Sequence, residues 1–283
     1  MIENLASCDR PSSWKQRGTT GEGDAAGNRQ PHMSRILATT AWAAAVLAIV
    51  RLAATFIADL TFPSPLELLP AIALVLGAGI LVHPWLAKRL RAPRPQPLVR
   101  HDLWRGVAMG GGPAMALIAL LWVTGTVRLA PGGPDAKTPL IVLLAALLGW
   151  CTELFIRGTA FALVEQRAGG QVAIWVSVLF VAAVDIVLGW PPLAILTVAG
   201  LGVMWGRQRL ADRAPGGAAV AHALWNAVVA AALGMGLGTG TTALLPGPTW
   251  WAGGAGDGQS GLAAVLVALV CAVGIPNGRP KAE

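Results

Sequence analysis

Eight predominantly apolar runs recur along the chain, at about 36–59, 66–86, 106–127, 139–164, 171–188, 192–206, 217–236 and 259–276. No feature constrains the fold more. A helix needs about 20 apolar residues to cross the ~30 Å hydrocarbon core of a bilayer. There, only helices and closed barrels satisfy every backbone hydrogen bond. The runs therefore predict an all-α fold, a polytopic membrane helix bundle of about eight transmembrane helices. Only 12% of the residues are charged, about half the fraction of an ordinary soluble domain.

Residues 1–33 are polar, with GTTGEGDAAGNRQP in their middle, and read as a disordered N-terminal tail. Met33 opens the more usual membrane-protein sequence, so the tail reads as an upstream extension. Residues 34–283 read as a single transmembrane domain. The run from Ile36 passes Arg51 and reaches Phe62, too long for the apolar core of a signal peptide. Turns such as GWPP (189–192) and RAPGG (213–217) separate the spans. The glycine-rich stretches GVAMGGG (106–112) and ALGMGLGTG (232–240) suit close helix packing, or else local kinks.

Orientation follows from charge. With the N-terminus placed in the cytoplasm, seventeen of the 21 Lys+Arg fall in inside segments and two, Arg128 and Lys137, outside. Basic residues accumulate in cytoplasmic loops, so both termini are expected in the cytoplasm, and the basic excess calls for no nucleic-acid partner. The loop 237–258 is then outside, where Trp250 and Trp251 suit an interfacial aromatic belt. Cys8, Cys151 and Cys271 form neither a disulfide framework nor a zinc pattern. No HExxH string or other metal-ligand spacing occurs, so neither a metal nor a cofactor is expected.

Ionisable groups inside spans cost about 2.5–3.5 kcal/mol each at a helix centre, so each calls for a partner or a purpose. They are Arg51, His83, Glu153, Arg157, Asp185 and His222, with Asn226 beside them. Glu153 and Arg157 are i and i+4, as are His222 and Asn226, so each pair shares a helix face. At ~1.5 Å per residue, these four lie about 9 to 16 Å from the cytoplasmic ends of their helices, and Asp185 about 21 Å. They can meet in one polar cavity, with Asp185 at its upper edge, or form separate helix-packing clusters. Arg51 is expected to pair or snorkel, and His83 to reach the headgroups.

Three motifs carry a resemblance. CTELFIRGTAF (151–161) resembles the Glu-Glu-x-x-x-Arg motif of the CPBP family, the CAAX proteases and bacteriocin-processing enzymes also called Abi. VSVLFVAAVD places Phe180 and Val184 on the family's Phe-x-x-x-His motif, and His222-Ala-Leu-Trp-Asn226 matches His-x-x-x-Asn. GLGVMWGRQRL is similar to the family's approach to that third motif. The likeness covers about residues 138–236.

The resemblance implies an intramembrane endopeptidase in a bacterial plasma membrane, acting on a peptide near the cytoplasmic face. In the family's chemistry the first glutamate and the second-motif histidine activate a water. The third-motif histidine and asparagine stabilise the oxyanion, and the second glutamate supports the site through its arginine. Here the first-glutamate position is Thr152 and the second-motif histidine position is Val184. The candidate site residues are therefore Glu153, Arg157, His222, Asn226 and Asp185. Glu153 is a substitute base, and Asp185, next to Val184, a substitute for the histidine. Three readings follow: an endopeptidase with weak or altered catalysis, an inactive relative that binds a membrane peptide as a scaffold, and a small transporter. The motif order argues against the third.

Overall fold

The computed structural model describes residues 41, 45, 48–50, 68–90, 92, 98–129, 138–233, 242–244, 249–253 and 260–274. All lie within the unit Met33–Glu283. The polar tail, Arg51 and most of the first expected span fall outside the described residues.

Helix α1 runs Leu69–Arg89 and α2 runs Arg100–Val123. The strand β1 (Val127–Leu129) follows. Helix α3 is Thr138–Ala168, α4 is Gly170–Val187, α5 is Pro192–Asp212 and α6 is Gly216–Leu233. Strand β2 (Thr242–Leu244), the short α7 (Thr249–Ala252) and α8 (Leu262–Gly274) complete the order. The fold is helical, as expected, and α1, α2, α3, α4 and α6 are long and apolar enough to cross a membrane. Helix α5 carries Arg207, Arg209 and Asp212 near its end, and α8 has only 13 residues, so neither reaches that standard alone. Trp85, Trp122, Trp175, Leu179, Ile186 and Val187 are large, apolar and more than half exposed. In water such a surface would aggregate, so lipid is its environment.

The sequence reading missed one feature. Val127, Arg128 and Leu129 pair antiparallel with Leu244, Ala243 and Thr242. This short ribbon joins two connecting segments, and its non-local pairing has no signal in three-residue strands. Trp251 lies nearby in sequence and donates from Nε1 to Thr124 Oγ1 at 3.4 Å, while Trp250 stays 59% exposed.

Packing rests on close backbone approach. A Cβ at Gly106 would stand 2.5 Å from the Gly217 carbonyl oxygen, and one at Gly110 would strike the Ala221 carbonyl. On the other side of α6, a Cβ at Gly149 would stand 2.8 Å from the His222 carbonyl oxygen. The GVAMGGG stretch is thus a packing face, and α6 sits against α2 and α3 at near-backbone contact. Glycine also ends α4. Gly189 has φ +75, and the Trp190 amide donates to the Asp185 carbonyl at 2.9 Å, a left-handed helix stop that only glycine adopts without strain.

Two helices contain wide turns. In α1 the π-helical turn Ala78–Val82 precedes Pro84, and a wider turn relieves the clash of a proline ring with the preceding turn. In α3 the π-helical turn is Leu154–Ala160, immediately after Glu153. Such turns are rare and concentrate at functional sites.

Candidate functional site

The first motif runs from the α-helical part of α3, with Thr152 and Glu153, into the wide turn, with Arg157. Glu153 and Arg157 form an ion pair, at 0% and 1% exposure. The i, i+4 spacing predicts that pair, and burial explains it, since either charge alone would be stranded in an apolar interior. Arg157 Nη2 donates to the Gly202 carbonyl of α5 at 2.8 Å. A Cβ at Gly202 would stand 3.2 Å from that same Nη2. The glycine thus lets the guanidinium reach the α5 backbone.

The third motif meets the first. His222 Nδ1 lies 2.8 Å from Glu153 Oε1. A carboxylate accepts there, so Nδ1 is the ring's donor and Nε2 is its acceptor when the imidazole is neutral. Trp205 of α5 stacks on His222, with centroids 4.3 Å apart and planes 23° apart. The Arg157 guanidinium carbon lies 5.9 Å from the Trp205 ring centroid. The indole thus packs against both partners of Glu153. Glu153 Oε2 is buried with no hydrogen-bond partner, so half of the carboxylate has open acceptor capacity.

The remaining candidates are placed differently. Asn226 Nδ2 donates to the Ala145 carbonyl at 3.1 Å, so its amide ties α6 to α3. Thr152, at the first-glutamate position, donates to the Leu148 carbonyl of its own helix at 2.8 Å. Val184 is 5% exposed and packs as an apolar residue. Asp185 is 0% exposed on α4. Gly202 faces both Val178 and Arg157, which sets Val178 level with the guanidinium. Asp185, two turns beyond Val178, lies nearer the far end of α4. Cys151 is buried beside the motif, as a small apolar residue would be.

His83 corrects an expectation. It is 9% exposed and stands edge-on to Phe155, with ring centroids 5.6 Å apart and planes at 79°. The wide turn in α1 and the small Gly158 opposite explain why it faces the bundle and not the headgroups. Sequence reasoning also missed Gly202, Trp205 and Arg209. All three lie within GLGVMWGRQRL, but nothing in that string says which side chains face the first motif.

A second polar cluster closes one end of the bundle, where Arg105 Nη1 of α2 pairs with Asp212 Oδ1 of α5 at 2.9 Å. Asp212 lies beyond the expected span 192–206, and burial raises its carboxyl pKa above the usual range while Arg105 opposes the shift. Among the described residues, no group of three or more His, Cys, Asp or Glu is arranged to hold a metal ion.

A family model described as type II CAAX prenyl endopeptidase Rce1-like matches residues 134–228. No curated protein and no solved structure gives a match. The matched segment contains all three motif positions, from Thr152 to Asn226. The likeness to the CPBP family read from those motifs is therefore borne out over residues 134–228. It supports a function of the CAAX-type intramembrane protease kind.

Proposed function

We propose, on the premise of this Rce1-like core, that the chain is an intramembrane endopeptidase of the CAAX type with weakened catalysis. The carrying observation is the 2.8 Å bond between His222 Nδ1 and Glu153 Oε1. A carboxylate on one ring nitrogen orients an imidazole and raises the basicity of the other nitrogen. The Glu153–His222 pair then takes over water activation from the missing first glutamate and second-motif histidine. Neutralisation of Glu153 by Arg157 makes it a poor base by itself, so the pair works slowly. With both termini in the cytoplasm, as the charge asymmetry favours, the site lies in the cytoplasmic half of the membrane and takes a peptide from that side.

A second reading has its own support. The Asn226 amide and the Thr152 hydroxyl both donate to backbone carbonyls, as suits a bundle that keeps the family frame to bind a membrane peptide without cleaving it.

Purified protein in lipid nanodiscs, given a CAAX-type peptide, separates the two. Slow turnover that disappears in Glu153→Gln and in His222→Ala supports the endopeptidase. Peptide binding with no turnover in the unaltered protein supports the scaffold.

A further inference from the structure

The wide turn Leu154–Ala160 is gripped from two sides by side chains that no motif includes. From α5, Arg209 Nε donates to the Arg157 carbonyl at 3.3 Å. Its guanidinium carbon lies 5.5 Å from the Phe161 ring centroid, and its Nη2 lies 3.7 Å from Glu165 Oε2. Arg209 is 6% exposed, a costly place for a cation unless it serves the fold or the site. From α1, the His83 ring packs edge-on against Phe155 of the turn, with centroids 5.6 Å apart. Its Nε2 is buried without a partner, 3.1 Å from where a Cβ on Gly158 would stand.

The two contacts fall on the residues whose register matters. Phe155 lies between Glu153 and Arg157 in the chain, and Arg157 is the glutamate's ion-pair partner. Wide turns are rare, interrupt the α-helical hydrogen-bond ladder and kink the helix that contains them, so contacts from neighbouring helices bear on whether the turn is kept. A relaxation of 154–160 to α-helical spacing would rotate Glu153 relative to the residues after the turn. Either the His222 contact or the Arg157 contact would then lengthen.

We propose that Arg209 and His83 are positioning residues that hold this wide turn and thereby keep Glu153 on both His222 and Arg157. The inference deepens the reading of the site given above and rests on it for its functional meaning. Its test, however, needs no turnover. In nanodisc samples labelled with ¹⁵N-histidine, a carboxylate-bonded His222 Nδ1–H gives a downfield proton resonance, assigned by its disappearance in His222→Ala.

Arg209→Met removes the donor while keeping the side chain's length, and the resonance should shift or vanish while the protein still melts cooperatively. Arg209→Lys, which keeps a cationic donor, should restore it at least in part. His83→Leu should move it in the same direction. A resonance unchanged in folded Arg209→Met overturns the clamp. Should Arg209→Met fail to fold, His83→Gln carries the same readout, and an unchanged resonance there overturns the clamp equally. A protein without turnover that shows these shifts sinks only the endopeptidase reading. An active protein with unmoved resonances sinks only the clamp.

Discussion

Glu153 is held by two partners, one local and one distant in sequence: Arg157, one turn further along its own helix, and His222, which approaches from α6 with Nδ1 at 2.8 Å. A fully buried carboxylate thus carries two charge-assisted contacts on Oε1, while Oε2 has no partner. The arrangement neutralises the charge and still leaves one buried oxygen without a hydrogen-bond partner.

Breaking this pair on one side should be worse than replacing both members. Glu153→Gln or Arg157→Ala alone strands a buried charge, and each should destabilise by about 3–5 kcal/mol. A double change to Leu and Met, which removes both charges and keeps the volume, should come much closer to neutral. Thermal melting in nanodiscs reads the difference. Equal losses for single and double variants would contradict a stranded-charge cost.

Restoring the family pattern should raise activity. General acid–base assistance contributes about 10²–10⁴-fold, and the resemblance assigns it to the positions that Thr152 and Val184 occupy. Thr152→Glu with Val184→His should therefore exceed the turnover of either single change. Both positions are buried, at 1% and 5% exposure, so melting must be followed in parallel. A folded double variant no faster than the unaltered protein would count against the endopeptidase reading.

The glycine face of α2 makes a paired prediction. Gly110→Ala should cost about 1–3 kcal/mol, as overpacking does, because its methyl would meet the Ala221 carbonyl. A Cβ at Gly112 would meet nothing within 4 Å. Gly112→Ala should be neutral or stabilise by about 0.5–1 kcal/mol through helix propensity. The same sign for both would refute the close α2–α6 approach.

Arg213 links α5 to α6 with φ +53, the left-handed region, and is exposed. That conformation costs a side-chain-bearing residue about 1–2 kcal/mol. Arg213→Gly should raise the melting temperature, although the glycine's own unfolded-state entropy returns part of the gain. A lower melting temperature would mean that the arginine makes contacts worth more than the strain.

Orientation is open to labelling. In a background free of Cys8, Cys151 and Cys271, a cysteine at the exposed Trp250 position should react with an impermeant reagent applied from outside. One at the exposed Arg213 position should react only after the membrane is opened. The opposite pattern would invert the topology.

Much of this architecture is legible in the chain itself. Apolar runs of bilayer length dictate helices, because hydrocarbon leaves the backbone no other way to satisfy its hydrogen bonds. The i, i+4 spacing of Glu153 and Arg157 likewise announces their ion pair, since helical geometry alone brings them together. What sequence could not announce was anything that depends on how one helix meets another. His83 looks like a residue near a helix end, and it faces the core because α1 widens before Pro84 and Gly158 leaves room. Arg209 looks like one more basic residue near a helix end, yet it reaches the Arg157 carbonyl. Asn226 matches a motif position, and only packing decides that its amide is spent on Ala145. Local periodicity assigns a residue to a face. The partner of that face is set by close contacts between distant segments, such as those at Gly106, Gly110, Gly149 and Gly202, and these exist only once the bundle has formed.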